Sequence, residues 1–362
     1  MDSNDELADW YDVVVVGGGT AGLSGAVALS RARRRVLVVD AGSPRNAAAD
    51  AVHNYLTRDG TAPAELLAAG RAEVRRYGGQ VSTGTVTAAR RLTGQPGPGD
   101  PADAGGAGSV HTGPNGAGSG GQPGDQAGPR GFALDLADGR VLRARRLLIA
   151  TGLADELPAL PGLAERFGRD VLHCPYCHGW EVRDQAIGVL ATGPMAVQQA
   201  LLWRQWSADI TLFQHTTADP TPEQREQLAA RGITVVAGEV AAVEVHADRL
   251  TGVRLRDGQV VARAALVVAP RFTARGGLLA GLGLEPTDHL VGEHVIGSRI
   301  AADPTGATAV AGVWVAGNVA DPLAQVISSA AAGLGTGAAI NADLIAEDTR
   351  QAVAAHRDRV PA

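Results

Sequence analysis

Two cysteines occur in the 362 residues, and they stand three positions apart in the run His173-Cys174-Pro175-Tyr176-Cys177-His178. A structural disulfide stabilises chiefly by closing a long loop of the unfolded chain, and a Cys174–Cys177 bridge would close almost none. The C-x-x-C spacing instead lets two sulfurs reach bonding distance with little strain. It also commonly lowers one thiol pKa, so that thiolate is available near neutral pH. Three other readings compete. A zinc site from His173, Cys174, Cys177 and His178 would draw adjacent ligands from both ends of one short span, a cramped tetrahedron. C-x-x-C-H also attaches c-type haem. That normally follows export, and the opening MDSNDELADWYD has neither the basic start nor the apolar core of a signal peptide. An inert cytosolic pair is the last alternative. The residues favour a redox dithiol, with His178 placed to move a proton during exchange; capping of the following turn is the structural alternative for His178. No metal is expected.

The second chemical signal is Gly17-Gly18-Gly19-Thr20-Ala21-Gly22. A strand, DVVVV, precedes it and a helix, LSGAVALSRAR, follows. In a G-x-G-x-x-G turn the first glycine permits the tight bend, the second lets the backbone approach a pyrophosphate, and the third lets helix and strand pack closely. The helix N-terminus adds free N–H groups and a partial positive charge. Asp40 ends the next strand, VLVVD, where its carboxylate can accept from an adenosine ribose.

These residues need a scaffold, and the length predicts two domains. The net charge of −6 and the 19% charged residues carry no basic excess, which speaks against nucleic-acid and membrane-surface partners. Apolar runs are strand-length and broken by glycine, too short to span a bilayer, so a cytoplasmic location is expected. FALDLADGR and VLRARRLLIA predict a hairpin turning at Asp138–Gly139. Residues 93–130 are Gly, Pro, Ala and Asp with Val110 as the one large aliphatic, a composition that predicts a disordered insertion in a hairpin loop. A second strand–turn–helix–strand unit begins near Ala186, with AIGVLA, TGPMA, VQQALLWRQW and DITLF. VWVAGNVADPLAQVISSAAAGLGTGAAINADLI, from 313 to 345, predicts a return strand, a short turn and a small-residue helix. The order is that of one dinucleotide-binding domain interrupted by another.

With GGGTAG, the IATG of residues 149–152, CPYCHGWEVRD and VWVAGNVADPLAQV in one order, the chain resembles the low-molecular-weight thioredoxin reductases. The resemblance omits only the acidic start, the 93–130 insertion and the last dozen residues. It implies an α/β fold of two Rossmann-like domains, the second inserted in the first. The FAD-binding domain would span 1–155 plus 272–362, and a pyridine-nucleotide-type domain carrying the CPYC motif would span 156–271. It further implies a homodimer. Gly17, Gly19, Gly22 and Asp40 would hold the adenosine half of FAD, with Thr151 and Gly152 of IATG also at the cofactor. Asn54, in HNYL, falls where the family lines the flavin. Gly317 falls on the second flavin motif, where Asn318 replaces the usual acid while keeping hydrogen-bonding capacity. Gln325 and Val326 would offer helix-terminal N–H groups to the flavin. Cys177 would face the flavin and Cys174 would exchange with substrate.

The second unit departs from the family. Its pattern is Gly-x-Gly-x-x-Ala for NADPH, and this chain has Ala191, Gly193 and Ala196. At the next strand end the family's His-Arg-Arg is replaced by Gln214-His215-Thr216. A phosphate without bidentate guanidinium groups loses its charge-assisted hydrogen bonds. These departures, with CPYCHGWEVRD and AGNVADP, resemble the FAD-dependent dithiol oxidases of disulfide natural-product biosynthesis, of the gliotoxin and holomycin type. That resemblance implies oxidation of a small-molecule dithiol to a disulfide, with oxygen as acceptor. The alternatives are an NAD(P)H-dependent disulfide reductase serving a thioredoxin-like protein, and a non-catalytic redox sensor.

Overall fold

The computed structural model describes residues 7–92 and 131–359. The predicted insertion at 93–130 therefore lies outside the described residues. Tyr11–Val16 is the centre of a seven-stranded sheet. Its β-branched side chains are buried on both faces, as a parallel strand covered on both sides requires. Val13 and Val15 pack with Leu23, Ala26 and Leu29 of the first helix, and on the other face of the sheet Val14 and Val16 cluster with their strand neighbours Leu147, Ile149 and Phe132. Val36–Asp40, Val141–Ile149 and Val313–Val315 extend the parallel part.

The predicted hairpin is present: Phe132–Leu136 pairs antiparallel with Val141–Ile149, and Gly139 takes a left-handed φ of 87° in the turn. A further strand, Val86–Arg91, which the sequence reading did not assign, pairs with Phe132–Leu136. Arg91 opposite Phe132 and the bond from Leu92 N–H to the Gly131 carbonyl close the ladder at the two ends of segment 93–130.

A second sheet is wholly parallel, in the order Thr234–Val236, Ile210–Phe213, Ile187–Leu190, Ala265–Val268 and Val171–Leu172. Leu153–Glu156 and Arg271–Ala274, where the chain leaves and returns, pair antiparallel with each other.

Two helices differ from expectation at their ends. The first begins at Thr20, with Gly19 as its N-cap, so the glycine turn is the helix start rather than a linker to it. The last runs Val326–Arg359, well past residue 345. Its added turns are rich in helix formers, and Arg34, Arg145 and Arg146 pair with its Asp343, Glu347 and Asp348. Small residues in it serve contact: a Cβ on Gly333 would lie 2.0 Å from the Ala21 carbonyl oxygen, so only glycine lets these two helices approach so closely.

Candidate functional site at the glycine turn and the CPYC pair

Each glycine of the turn has a separate constraint. Gly17 takes φ +108°, and a Cβ there would sit 2.3 Å from the Ala150 carbonyl oxygen. A Cβ on Gly22 would sit 2.0 Å from the Gly17 carbonyl oxygen, which makes Gly22 a packing residue that does not line the cavity. At Gly19 a Cβ meets nothing within 4 Å, so its backbone faces open space. Gly18, unassigned from sequence, is needed because a Cβ would fall 2.6 Å from the Asp40 carboxyl carbon.

That open space is a cavity of about 950 Å³. Gly17, Gly19, Asp40, Thr151, Gly152, Gly317, Asn318, Gln325 and Val326 line it, and so do Cys174, Cys177 and His178. One cavity thus joins the glycine turn to the cysteine pair.

Besides Gly22, which was expected at the cofactor and packs helix against strand instead, two expectations need correction. Asn54 does not line the cavity. It sits at a left-handed φ of 59° and its amide donates to the Tyr176 carbonyl, holding its loop against the redox motif. Asn318 does line the cavity, but its amide nitrogen donates to the carbonyls of Asp321 and Ala324 at 3.1 and 2.9 Å, and its oxygen accepts from Arg45 at 3.5 Å. It fixes the turn that leads into the last helix, so its amide is not free for a ribityl or phosphate group.

Cys174 caps a short helical turn, Pro175–His178. The Cys174 thiol is lowered to about 7, first by the hydrogen bond from the Cys177 side chain and then, against burial, by the N–H groups of Cys177 and Tyr176 and the charge of Arg45. The partner thiol of Cys177 is pushed up, because it donates to Cys174 and because it is buried. The pair therefore shares one proton, with the negative charge favoured on Cys174. Among the described residues no group of three or more His, Cys, Asp and Glu side chains is arranged to hold a metal ion.

The profile of the pyridine nucleotide-disulphide oxidoreductase family matches residues 11–337. The chain belongs to this family. It is similar to the crystal structure of HlmI, at 42% identity and a TM-score of 0.82, covering 99% of this chain and 100% of that one. It is 30% identical to the thioredoxin reductase tcpT of Claviceps purpurea over 345 residues, which is 93% of this chain and 95% of tcpT. A probable thioredoxin reductase of Arthroderma benhamiae is 32% identical over 188 residues, spanning 51% of this chain and 38% of that protein. The protein is an oxidoreductase with a thioredoxin reductase-like, two-domain Rossmann-type fold.

For a member of this family the least legible site residue is Arg45. It makes a two-pronged pair with Asp155 at 2.7 and 2.6 Å and lies over the Phe272 ring at 5.3 Å. His173 meets that ring edge-on at 5.1 Å. Burial, helped by Arg45, pushes the His173 pKa down to about 4, so this ring is neutral. Arg45 thus connects Asn318, both crossing strands and the cysteine pair. Nothing in the run Ser43-Pro44-Arg45-Asn46 announces this, because its partners lie 110 or more residues away.

Proposed function

We propose that this protein binds FAD and oxidises a small-molecule dithiol to its disulfide, with oxygen as electron acceptor. The observation that carries this reading is the strand end at residues 214–216. Gln214 donates its amide to Asp219, an anion where a phosphate would need a cation. The Nδ1 of His215 accepts from the Val240 N–H at 3.1 Å, which leaves that nitrogen unprotonated. Burial lowers the His215 pKa, which favours the uncharged ring. Arg256, which faces His215, is paired with Glu239 at 2.8 Å. Among the described residues, the guanidinium that faces His215 at this edge is thus already engaged by a carboxylate.

The residues around the cavity suit FAD. Gly17 and Gly19 give close backbone approach, the helix N-terminus at Thr20 suits a pyrophosphate, Asp40 suits a ribose, and Gln325 and Val326 stand at a second helix start. Thr151, Gly152 and Gly317 complete the wall. The bound flavin would supply the two-electron chemistry and pass electrons to oxygen. This chain's residues supply the thiol steps. In the oxidised enzyme, substrate thiolate attacks Cys174; the second substrate thiol resolves the mixed disulfide and leaves Cys174 and Cys177 reduced. The Cys177 hydrogen bond and the amides at the helical turn hold Cys174 as a good leaving thiolate. His178 takes or returns a proton, and burial keeps its ring neutral and able to accept.

We further propose a cytoplasmic homodimer with domain limits at 155/156 and 271/272. Exposed Ile327, Leu334 and Ile345 on the last helix offer an apolar surface to a second copy. Among the described residues no helix is long and apolar enough to cross a membrane. The names of tcpT and other relatives support the reverse direction, reduction of a thioredoxin-like partner. One experiment separates the two. Under anaerobic conditions a dithiol such as dithiothreitol should bleach the flavin and air should restore it, with peroxide formed. Millimolar NADPH should leave the flavin yellow. Rapid bleaching by micromolar NADPH would establish the reductase instead.

A further inference from the structure

Helix Ala196–Trp203 brings Gln199 and Trp203, four residues apart and so on one face, to the cavity that also holds Cys174 and Cys177. The Trp203 side chain is fully buried, and among the described residues its Nε1 has no hydrogen-bond partner. Gln199 Oε1 is likewise buried and without a partner. Among the described residues no other residue lining the cavity carries a buried side-chain polar atom in that state. Buried donors and acceptors are paired in nearly all proteins, because an unpaired one forfeits its hydration. A donor and an acceptor left over on one helix face call for a ligand group that supplies both partners. This wall is packed against the redox turn. The Trp206 ring meets Trp203 at 6.2 Å and meets Tyr176 edge-on at 5.5 Å. A Cβ on Gly179 would lie 2.8 Å from the Trp206 ring, so the end of the turn lies directly on that indole. Tyr176 and Leu202, both exposed, line the cavity as well. The two polar atoms thus belong to an otherwise apolar and aromatic wall beside the cysteine pair.

We propose that Trp203 and Gln199 form a binding subsite for an uncharged amide edge on the dithiol substrate. Trp203 Nε1–H donates to the amide carbonyl, and Gln199 Oε1 accepts from the amide N–H. The inference rests on the dithiol-oxidase reading for the molecule that carries the amide. An indole N–H can only donate and an amide oxygen can only accept, so the ligand must offer the complement of each. Both side chains reach from one helix face, so the ligand's carbonyl and N–H must lie along one edge. A primary carboxamide or a lactam has such an edge; an extended secondary amide points the two groups apart. A carboxylate has no N–H for Gln199 and would bring an unpaired charge against a buried wall. The substrate class is therefore a small dithiol that carries a carboxamide or lactam, with an apolar remainder to lie on Tyr176 and Leu202.

The first test needs no turnover. 2-Pyrrolidinone, a lactam without thiols, is titrated into the flavin-loaded enzyme while the indole N–H resonances are followed by NMR, with Trp203→Phe identifying the signal. The Trp203 resonance should move downfield, and Gln199→Leu should weaken the affinity about threefold to tenfold. A Trp203 signal that stays in place overturns the subsite. The second test compares dihydrolipoamide, methyl dihydrolipoate and octane-1,3-dithiol as substrates in air. They share one dithiol and offer both bonds, the carbonyl alone, or neither. Trp203→Phe should lower kcat/KM about threefold to tenfold for the amide and the ester and leave octane-1,3-dithiol unchanged. Gln199→Leu should lower it for the amide alone. Equal losses for all three dithiols would reduce the two side chains to packing and overturn the proposal. Flavin lost from both variants would give the amide edge to the flavin itself and overturn the substrate assignment. Peroxide from none of the three dithiols with the wild type sinks the oxidase reading, while the lactam titration still decides whether the subsite exists.

Discussion

At the residue scale the two cysteines are chemically unequal although their sequence context is nearly symmetric. Cys174 receives a hydrogen bond from Cys177 and two from backbone N–H groups, and this lowers its thiol to about 7. Alkylation of the reduced protein by iodoacetamide should therefore be half-maximal near pH 7, with Cys174 the modified residue by mass spectrometry. Above that pH the thiolate dominates and the rate levels off. Below it the rate falls about tenfold per pH unit, because only thiolate reacts. Cys177→Ala removes the strongest of the stabilising bonds and should move the midpoint upward; a midpoint that stays near 7 would assign the lowering to the helical turn alone. Cys174→Ser and Cys177→Ser should each abolish dithiol turnover. Cys174→Ser should also develop a long-wavelength absorbance band at alkaline pH, since it frees Cys177 from the partner that holds its proton. Cys177→Ser should show no such band.

At the element scale the site depends on how closely the first and last helices approach. Gly25, Gly333 and Gly337 form that contact: a Cβ on Gly333 would fall 2.0 Å from the Ala21 carbonyl oxygen and one on Gly337 would fall 2.8 Å from that of Gly25. Both helix N-termini open on the cavity, at Thr20 and Val326, so a shift of one helix moves cavity-facing N–H groups. Gly333→Ala should cost about 1–3 kcal/mol through overpacking and lower flavin occupancy, read by thermal melting and absorbance. Gly335→Ala, where a Cβ meets nothing within 4 Å, should be neutral or stabilising by up to about 1 kcal/mol. Equal effects from the two substitutions would contradict the packing argument.

At the scale of the whole molecule, the 93–130 segment bridges two strands whose pairing is already complete at Arg91–Phe132. Replacing it with a four-residue turn should leave flavin content and dithiol oxidation unchanged. Shortening the loop should raise stability by about 1–2 kcal/mol from loop-closure entropy. A lower melting temperature after the replacement would show that the segment packs on the rest of the chain.

The sequence by itself determined those parts whose cause is local. The strand–glycine turn–helix at 12–33 was legible because Gly17 and Gly22 answer backbone constraints within the turn and the adjoining strand end while Gly19 leaves its backbone open. The hairpin at Asp138–Gly139 and the unequal worth of a C-x-x-C pair were legible for the same reason. Helix ends at Thr20 and Arg359 were misjudged because capping by Gly19 and pairing with Arg34, Arg145 and Arg146 decide them. Only the tertiary structure decided the rest of the site. Arg45 reaches Asp155 and Asn318, His53 reaches Glu181, and Asn54 leaves the cavity wall for the Tyr176 carbonyl. Each of these contacts joins residues more than a hundred positions apart. Single polar side chains with no periodic pattern carry no local signal of such partners. Burial and hydrogen bonding among distant segments set their direction, and those exist only once the chain has folded.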